Sequence, residues 1–272
     1  MVIFKYELKQ MKTLIIAWSV AMAVFVFLLV PVYMDIGKSV GTDSQQLEHI
    51  ISDNEFLQAV DMSAEFLSQP IGMYGFLNGW FFTLAASVLS IHVGLSVNTK
   101  DFTGKSADFI YTKPFNRSKV FLSKLSAASV AVFTVGIVYF VSSYAALSIN
   151  LPEGFDLRMF LHLAFSLIML QALYLALGIL VGIVWPRNRR PVLLSVTVVF
   201  ITIVIGTFAA TMSLDWLLFL APPKFFGGSV IASMGGYDMR FVYWLFFLVI
   251  TFTASGYFIF RKKDLITVLG GR

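Results

Sequence analysis

Long apolar runs without a charged residue dominate the chain. Five stand out: Leu14–Tyr33, Ile71–Val97, Leu125–Ile149, Met159–Val184 and Val192–Met212. A sixth, Phe241–Phe260, has the same character, and none of the six contains Asp, Glu, Lys or Arg. Each reaches the roughly 20 residues an α-helix needs to cross a bilayer core. A charge at the centre of such a helix would cost at least about 2.5–3.5 kcal/mol. The runs are continuous rather than alternating over about 10-residue segments, which argues against a transmembrane barrel. The pattern predicts six membrane-spanning helices. Leu14–Tyr33 exceeds the roughly 7–15 apolar residues of a cleavable signal. It is followed by Asp35 and Lys38 with no small-residue cleavage pattern, so it reads as a retained first span.

The segments between the runs carry their own patterns. In residues 2–13, Ile3, Phe4, Leu8 and Met11 fall on one helical face and Lys5, Lys9 and Lys12 on the opposite one. This predicts an amphipathic helix lying on the membrane surface, with Glu7 as an exception on the apolar side. Segment 98–124 mixes six basic residues with Phe102, Phe109, Ile110, Tyr111 and Phe115, and Pro114 divides it into two expected short helices, Thr103–Tyr111 and Asn116–Lys124. Asn116 or Ser118 is positioned to cap the second. Such helices must bury their apolar side chains, against neighbouring loops or a partner protein, and residue types alone do not choose between the two. Segment 34–70 has seven acids and one Lys, with partial helical periodicity that predicts one or two outer-surface helices. Its acids lack the spacing of a calcium loop and read as solvated faces. Leu214–Gly236 is apolar but contains Asp215, Lys224, Pro222–Pro223 and two Gly pairs, so short interfacial or re-entrant helices are expected there.

Composition narrows the class. Of the 272 residues 58% are hydrophobic and 13% charged, about half the charge that covers a soluble domain. The 28 Phe exclude disorder. There are no cysteines, hence no disulfides and no thiol nucleophile. The net charge of +5 is unevenly spread. With six spans, both termini, segment 98–124 and segment 185–190 share a side, and that side holds 16 of the 20 basic residues but 4 of the 15 acids. Retained Lys and Arg mark the cytoplasmic face. The basic excess is therefore an orientation signal, and nucleic-acid binding is not expected.

Catalytic motifs are missing. There is no GxxxxGK[ST] phosphate loop and no HExxH pair. His92 and His162 lie in spans among many serines, yet no local motif makes either the base of a hydrolase. Asn78, His92, His162 and Gln171 are the strongly polar residues within spans, and bonding between helices is the favoured role for them. Gly75 with Gly79, and Gly178 with Gly182, form GxxxG pairs suited to close packing. No span carries the carboxylate that ion-coupled transport generally uses. The absence of an energy-coupling group, beside a basic and aromatic surface suited to docking, points to energy supplied in trans.

Three segments carry a family resemblance: FKYELKQMKTLIIAW (Phe4–Trp18), DFTGKSADFIYTKPFNRSKVFLSK (Asp101–Lys124) and FRKKDL (Phe260–Leu265). With the six-span layout they resemble the permease subunit of ATP-binding-cassette (ABC) transporters of the second exporter class. The resemblance implies an all-α integral membrane protein with one permease domain over residues 1–272. It also implies an elbow helix at 2–13, both termini cytoplasmic and location in the cell membrane. Asp101–Tyr111 would be the coupling helix that docks on a nucleotide-binding ATPase subunit. The expected contacts are Phe102, Lys105, Asp108, Phe109, Tyr111, Lys113 and Arg117, joined by Tyr6 and Lys9 of the elbow. Asn78, Phe81 and Phe82 are candidates for the substrate path, and Leu214–Gly236 would cap it. Two permeases, identical or paralogous, would join two ATPases. ATP and Mg would bind the ATPases, and this chain would hold no cofactor. The expected cargo is amphipathic or hydrophobic, such as a peptide toxin or antimicrobial peptide, with a drug, lipid or polysaccharide as alternatives. A non-transporting membrane scaffold or sensor, and an intramembrane enzyme using His92 or His162, are rivals of other classes.

Overall fold

The computed structural model describes residues 2–41, 71–103, 116–186 and 190–262, with scattered positions between 51 and 69. The described residues are helical or irregular, with no strand among them. Six helical stretches are long and apolar enough to cross a membrane: Ile3–Gly37, Gly72–Lys100, Arg117–Asn150, Leu157–Val184, Pro191–Thr211 and Met239–Lys262. All six apolar runs of the sequence lie within these helices, except for Ile71 and Met212, which fall one residue outside.

Helix α1 runs from Val2 to Gly41 without interruption. At 1.5 Å per residue its 40 residues span about 60 Å, roughly twice a bilayer's hydrocarbon core. The amphipathic segment 2–13 is thus continuous with the first span. No Pro or Gly precedes Pro31, so nothing in the sequence breaks the helix earlier. A short helix α2 (Ala64–Leu67) belongs to segment 34–70 and buries Phe66 and Leu67. The second span consists of α3 (Gly72–Leu77), a π-helical turn (Asn78–Phe82) and α4 (Thr83–Thr103).

The third span is α5 (Arg117–Asn150), capped by Asn116, whose side chain accepts a bond from the Ser118 amide at 3.0 Å. The expected short helix 116–124 is the first part of this 34-residue helix. Helix α6 (Leu157–Val184) starts at the Asp156 cap, whose carboxylate accepts from the Arg158 and Met159 amides at 2.8 and 3.1 Å. Helix α7 (Pro191–Thr211) starts on proline, which has no amide to leave unpaired at a first turn.

Residues 214–236 form short pieces, as their prolines and glycines predict. These are α8 (Asp215–Leu218), a 3₁₀ turn (Pro222–Lys224) and α9 (Gly228–Met234), which ends on left-handed Gly235 at φ 66°. Phe225, Phe226 and Ile231 bury this segment in the protein. The sixth span is α10 (Met239–Lys262).

Helices α4 and α6 form the central pair, and glycine makes their approach possible. A Cβ on Gly178 would lie 2.6 Å from the Ile91 carbonyl oxygen, and one on Gly182 would lie 3.0 Å from that of Leu95. Gly94 fits reciprocally against the Leu175–Ile179 backbone. The other GxxxG pair does not bring two spans together. Gly75 faces the Phe66 ring, and Gly79 has nothing within 4 Å of where a Cβ would stand. In lipid, association rests on such close packing and on polar bonds, because the solvent around the helices is itself apolar. Helix α1 packs along α5, and Val26 and Val30 of α1 and Ala127, Ala128 and Ala131 of α5 are all buried in the core. We predict that Gly178→Ala lowers stability by about 1–3 kcal/mol, the usual cost of overpacking. Gly79→Ala should be near neutral. Thermal unfolding of the two variants in one detergent checks the contrast.

Candidate functional site

One end of the bundle gathers the start of α1, the end of α4, the start of α5 and the end of α10. At its centre is Glu7. The residue that interrupts the apolar face of segment 2–13 is fully buried. Its Oε2 accepts a bond from Lys100 Nζ of α4, and its Oε1 lies 3.2 Å from Lys124 Nζ of α5. Lys124 is itself buried and donates to the Val97 carbonyl oxygen at 2.5 Å. Lys100 is partly exposed, with about a quarter of its side chain open to solvent. One carboxylate and two ammonium groups thereby join α1, α4 and α5. Met11 is buried one turn further on, whereas Lys5, Lys9 and Lys12 face outward. The segment's amphipathic pattern is real, and the acid on its apolar side is matched by two lysines from other helices.

Helix α10 closes the same end. Arg117 Nη1 donates to the Arg261 carbonyl oxygen at 3.0 Å, and Ser118 Oγ shares a bond with the Tyr257 hydroxyl at 3.0 Å. Phe121 packs on the Tyr257 and Phe260 rings, with centroids 5.5 and 5.7 Å away. The Arg261 guanidinium stands 5.6 Å from the Tyr257 ring centroid. The beginning of α1 and the end of α10 thus share an end with the segment that joins α4 to α5.

Of the expected contact residues, Lys105, Asp108, Phe109, Tyr111 and Lys113 lie outside the described residues, as does the expected helix beyond Thr103. Phe102 is in the last turn of α4. Arg117 begins α5 and is exposed, and Tyr6 and Lys9 are exposed on α1. Tyr6, Lys9 and Arg117 sit on helices that meet at the Glu7 end.

The three candidate path residues separate. Asn78 and Phe82 are buried inside the bundle, and Phe81 is exposed, edge-on to Tyr33 of α1 at 6.0 Å. Asn78 anchors a chain of hydrogen bonds across three spans. The Tyr139 hydroxyl donates to Asn78 Oδ1 at 2.6 Å. The Tyr139 proton is then spent, so in the 2.7 Å contact between the two tyrosines Tyr74 is the donor. Asn78 Nδ2 donates to the Leu163 carbonyl oxygen at 2.9 Å. Asn78 also opens the π-turn, where its carbonyl accepts from Thr83 five residues on. The amide is therefore occupied in holding helices together.

The two histidines within the spans differ in their surroundings. His162 Nδ1 meets the Arg158 carbonyl oxygen of its own helix at 2.7 Å, and its ring packs on Tyr237 at 5.0 Å. His92 Nδ1 has no hydrogen-bond partner. Burial pushes the Tyr237 hydroxyl above its usual pKa, and it donates to the His162 carbonyl oxygen at 2.5 Å. Hydrogen bonds from Arg240 hold the Asp238 carboxyl below the usual range.

Two hollows remain. A cavity of about 190 Å³ at the far end is lined by Trp80, Ile203, Pro223 and Lys224, among others. Lys224 sits 5.4 Å above the Trp80 ring and donates to the Ala59 carbonyl oxygen. A groove of about 350 Å³ lies between α1, α4 and α7, where Trp18, Met22, Phe25, Val88, Val199 and Phe200 give it an almost wholly apolar wall.

The Glu7 cluster was the part of this site that sequence reading passed over. Its signal was an acid on the apolar stripe of an otherwise basic amphipathic helix. Removing one partner from a buried ion pair generally costs about 3–5 kcal/mol, because the other charge is stranded. We predict a loss of that size for Glu7→Ala, which removes the buried carboxylate that both lysines face. Lys124→Met should cost markedly less, since Lys100 still neutralises Glu7. Denaturation in mixed micelles measures both.

Compared with known families, the sequence matches the one described as "ABC-2 family transporter protein" over residues 1–265. No curated protein and no solved structure matches it.

Proposed function

The chain belongs to the ABC-2 transporter family, and on that footing we propose that it is the membrane half of an ATP-driven exporter. It is a multi-pass permease component of an ABC transporter. In the proposed complex two copies, or this chain and a paralogue, join two ATPase subunits that bind ATP and Mg. The permease provides the path and the ATPases the energy.

The observation that carries the reading is the convergence at the Glu7 end. The stems of segment 104–115, the start of α1 and the end of α10 meet there, and the sequence concentrates its basic residues in the same segments. Under the positive-inside rule this end faces the cytoplasm, with both termini. Asp101–Tyr111 docks on the ATPase, with Phe102, Lys105, Asp108, Phe109, Tyr111, Lys113 and Arg117 as contacts and Tyr6 and Lys9 flanking them. ATP-driven closure of the ATPases then shifts the permeases between inward-facing and outward-facing states. It can do so only through different affinities for the two states.

The cargo is amphipathic or hydrophobic, with a membrane-active peptide as the leading case. The spans offer no fixed charge for a strongly ionic cargo. The apolar groove between α1, α4 and α7 favours an apolar body, including a lipid or drug, over a polysaccharide.

The chain should co-purify with an ABC ATPase. Phe109→Asp and Lys105→Glu should each weaken retention of that subunit about tenfold or more, as disruption of an interface anchor does. Retention and ATPase stimulation at wild-type levels in both variants would contradict the docking assignment.

A further inference from the structure

We propose that the buried Glu7–Lys100–Lys124 cluster is the joint through which a displacement of segment 104–115 enters the bundle, with Glu7 as a positioning residue. The inference rests on the docking reading above and adds to it the group that transmits the motion.

The placement of the three residues carries the argument. Lys100 lies one turn before Thr103, where the described part of α4 ends, and Lys124 lies about two turns into α5. They stand on the two stems of the segment that would receive the push. Glu7 comes from a third helix and engages both. Lys124 also binds the Val97 carbonyl oxygen, which ties α5 to α4 directly. A displacement of either stem must carry α1 with it or pull the carboxylate away from an ammonium group. The second course strands a charge in a buried site, which proteins tolerate poorly. Apolar contacts alone could slide, because neighbouring rotamers offer alternatives of similar energy. The ionic cluster makes the stems and α1 move together.

Helix α1 then delivers the motion across the membrane. It is one uninterrupted helix from Val2 to Gly41. Near its other end Tyr33 packs on Phe76 and Phe81, with ring centroids 6.3 and 6.0 Å apart. Gly37 sits so close to Met73 that a Cβ would fall 2.7 Å from Met73 Cγ. The rod that begins at Glu7 thus ends against α3 and the π-turn of the second span. Spatial continuity alone is not coupling, so the joint has to be tested by energetics.

The test uses the permease–ATPase complex and the double variant Glu7→Gln with Lys124→Met. It removes both fully buried charges together and leaves only the partly exposed Lys100, so no charge is stranded in a buried site. The readout is hydrogen exchange of the far-end segment 214–236, before and after addition of ATP, Mg and vanadate. The joint predicts that the double variant assembles with the ATPase and binds ATP like wild type. Its nucleotide-induced exchange change at 214–236 should shrink by about threefold or more, as for loss of a coupled contact. Lys124→Met alone should give an intermediate loss, and Glu7→Asp, which keeps the anion, should recover most of the response. A double variant that responds like wild type would overturn the joint and leave the docking reading standing. A wild-type chain that forms no complex with an ATPase would overturn the docking reading, and the joint with it.

Discussion

A carboxylate buried where three helices meet fixes the base of this bundle. Glu7 is fully buried, so its charge must be met by protein, and Lys100 and Lys124 meet it from α4 and α5. An apolar seam would tolerate several axial registers of α1 against its neighbours. A buried anion with two cationic partners tolerates one. Much else follows from that register. Met11, Met22, Val26 and Val30 of α1 are set against the core. Tyr33 and Gly37 of the same helix are delivered to the second span on the other side. The ion cluster is poor evidence for stability in itself, since buried pairs often do no better than apolar replacements. Its contribution is to specify one arrangement.

Elsewhere the bundle is held by close packing and polar bonds. The glycines Gly94, Gly178 and Gly182 bring the α4 and α6 backbones into contact, and the Tyr74–Tyr139–Asn78 chain ties the second, third and fourth spans through directional bonds. These features sit at different depths. The glycine seam lies toward the Glu7 end, and the Asn78 network toward the far end at the π-turn. A π-turn places one extra residue in a helical turn, and such turns are frequent at functional sites. Here it lies beside the point that α1 reaches across the membrane, so the second span is locally irregular where the rod ends.

Much of this was legible in the sequence. A charge-free run of twenty apolar residues has few fates other than a span, and each of the six runs is helical. The Pro222–Pro223 and glycine pairs announced the broken segment before α10, and of the two caps the sequence offered for α5, Asn116 and Ser118, Asn116 is the one used. Helix continuity was harder to read. Segment 2–13 is amphipathic and segment 14–33 apolar, and a change of composition suggested a change of element. Backbone hydrogen bonding is indifferent to that change, and without Pro or Gly at the junction the helix continues. The same holds at Lys124–Leu125. The role of Glu7 was unreadable because its partners are 93 and 117 positions away along the chain. Only packing brings them together. Asn78 carried two readings, because a polar side chain in a span marks either a pathway or a helix contact. Its bonds to Tyr139 and Leu163 are those of the second.

In the proposed complex the Glu7 end faces the cytoplasm and lies against the ATPase. The chain has no native cysteine, so one introduced at the exposed position Tyr6 (Tyr6→Cys) is a unique reporter. Its modification by a membrane-impermeant maleimide measures the claim directly. The account predicts reaction in inverted vesicles, none in intact cells, and clear slowing when the ATPase subunit is bound. Modification from outside intact cells, or a rate indifferent to the bound ATPase, would contradict it.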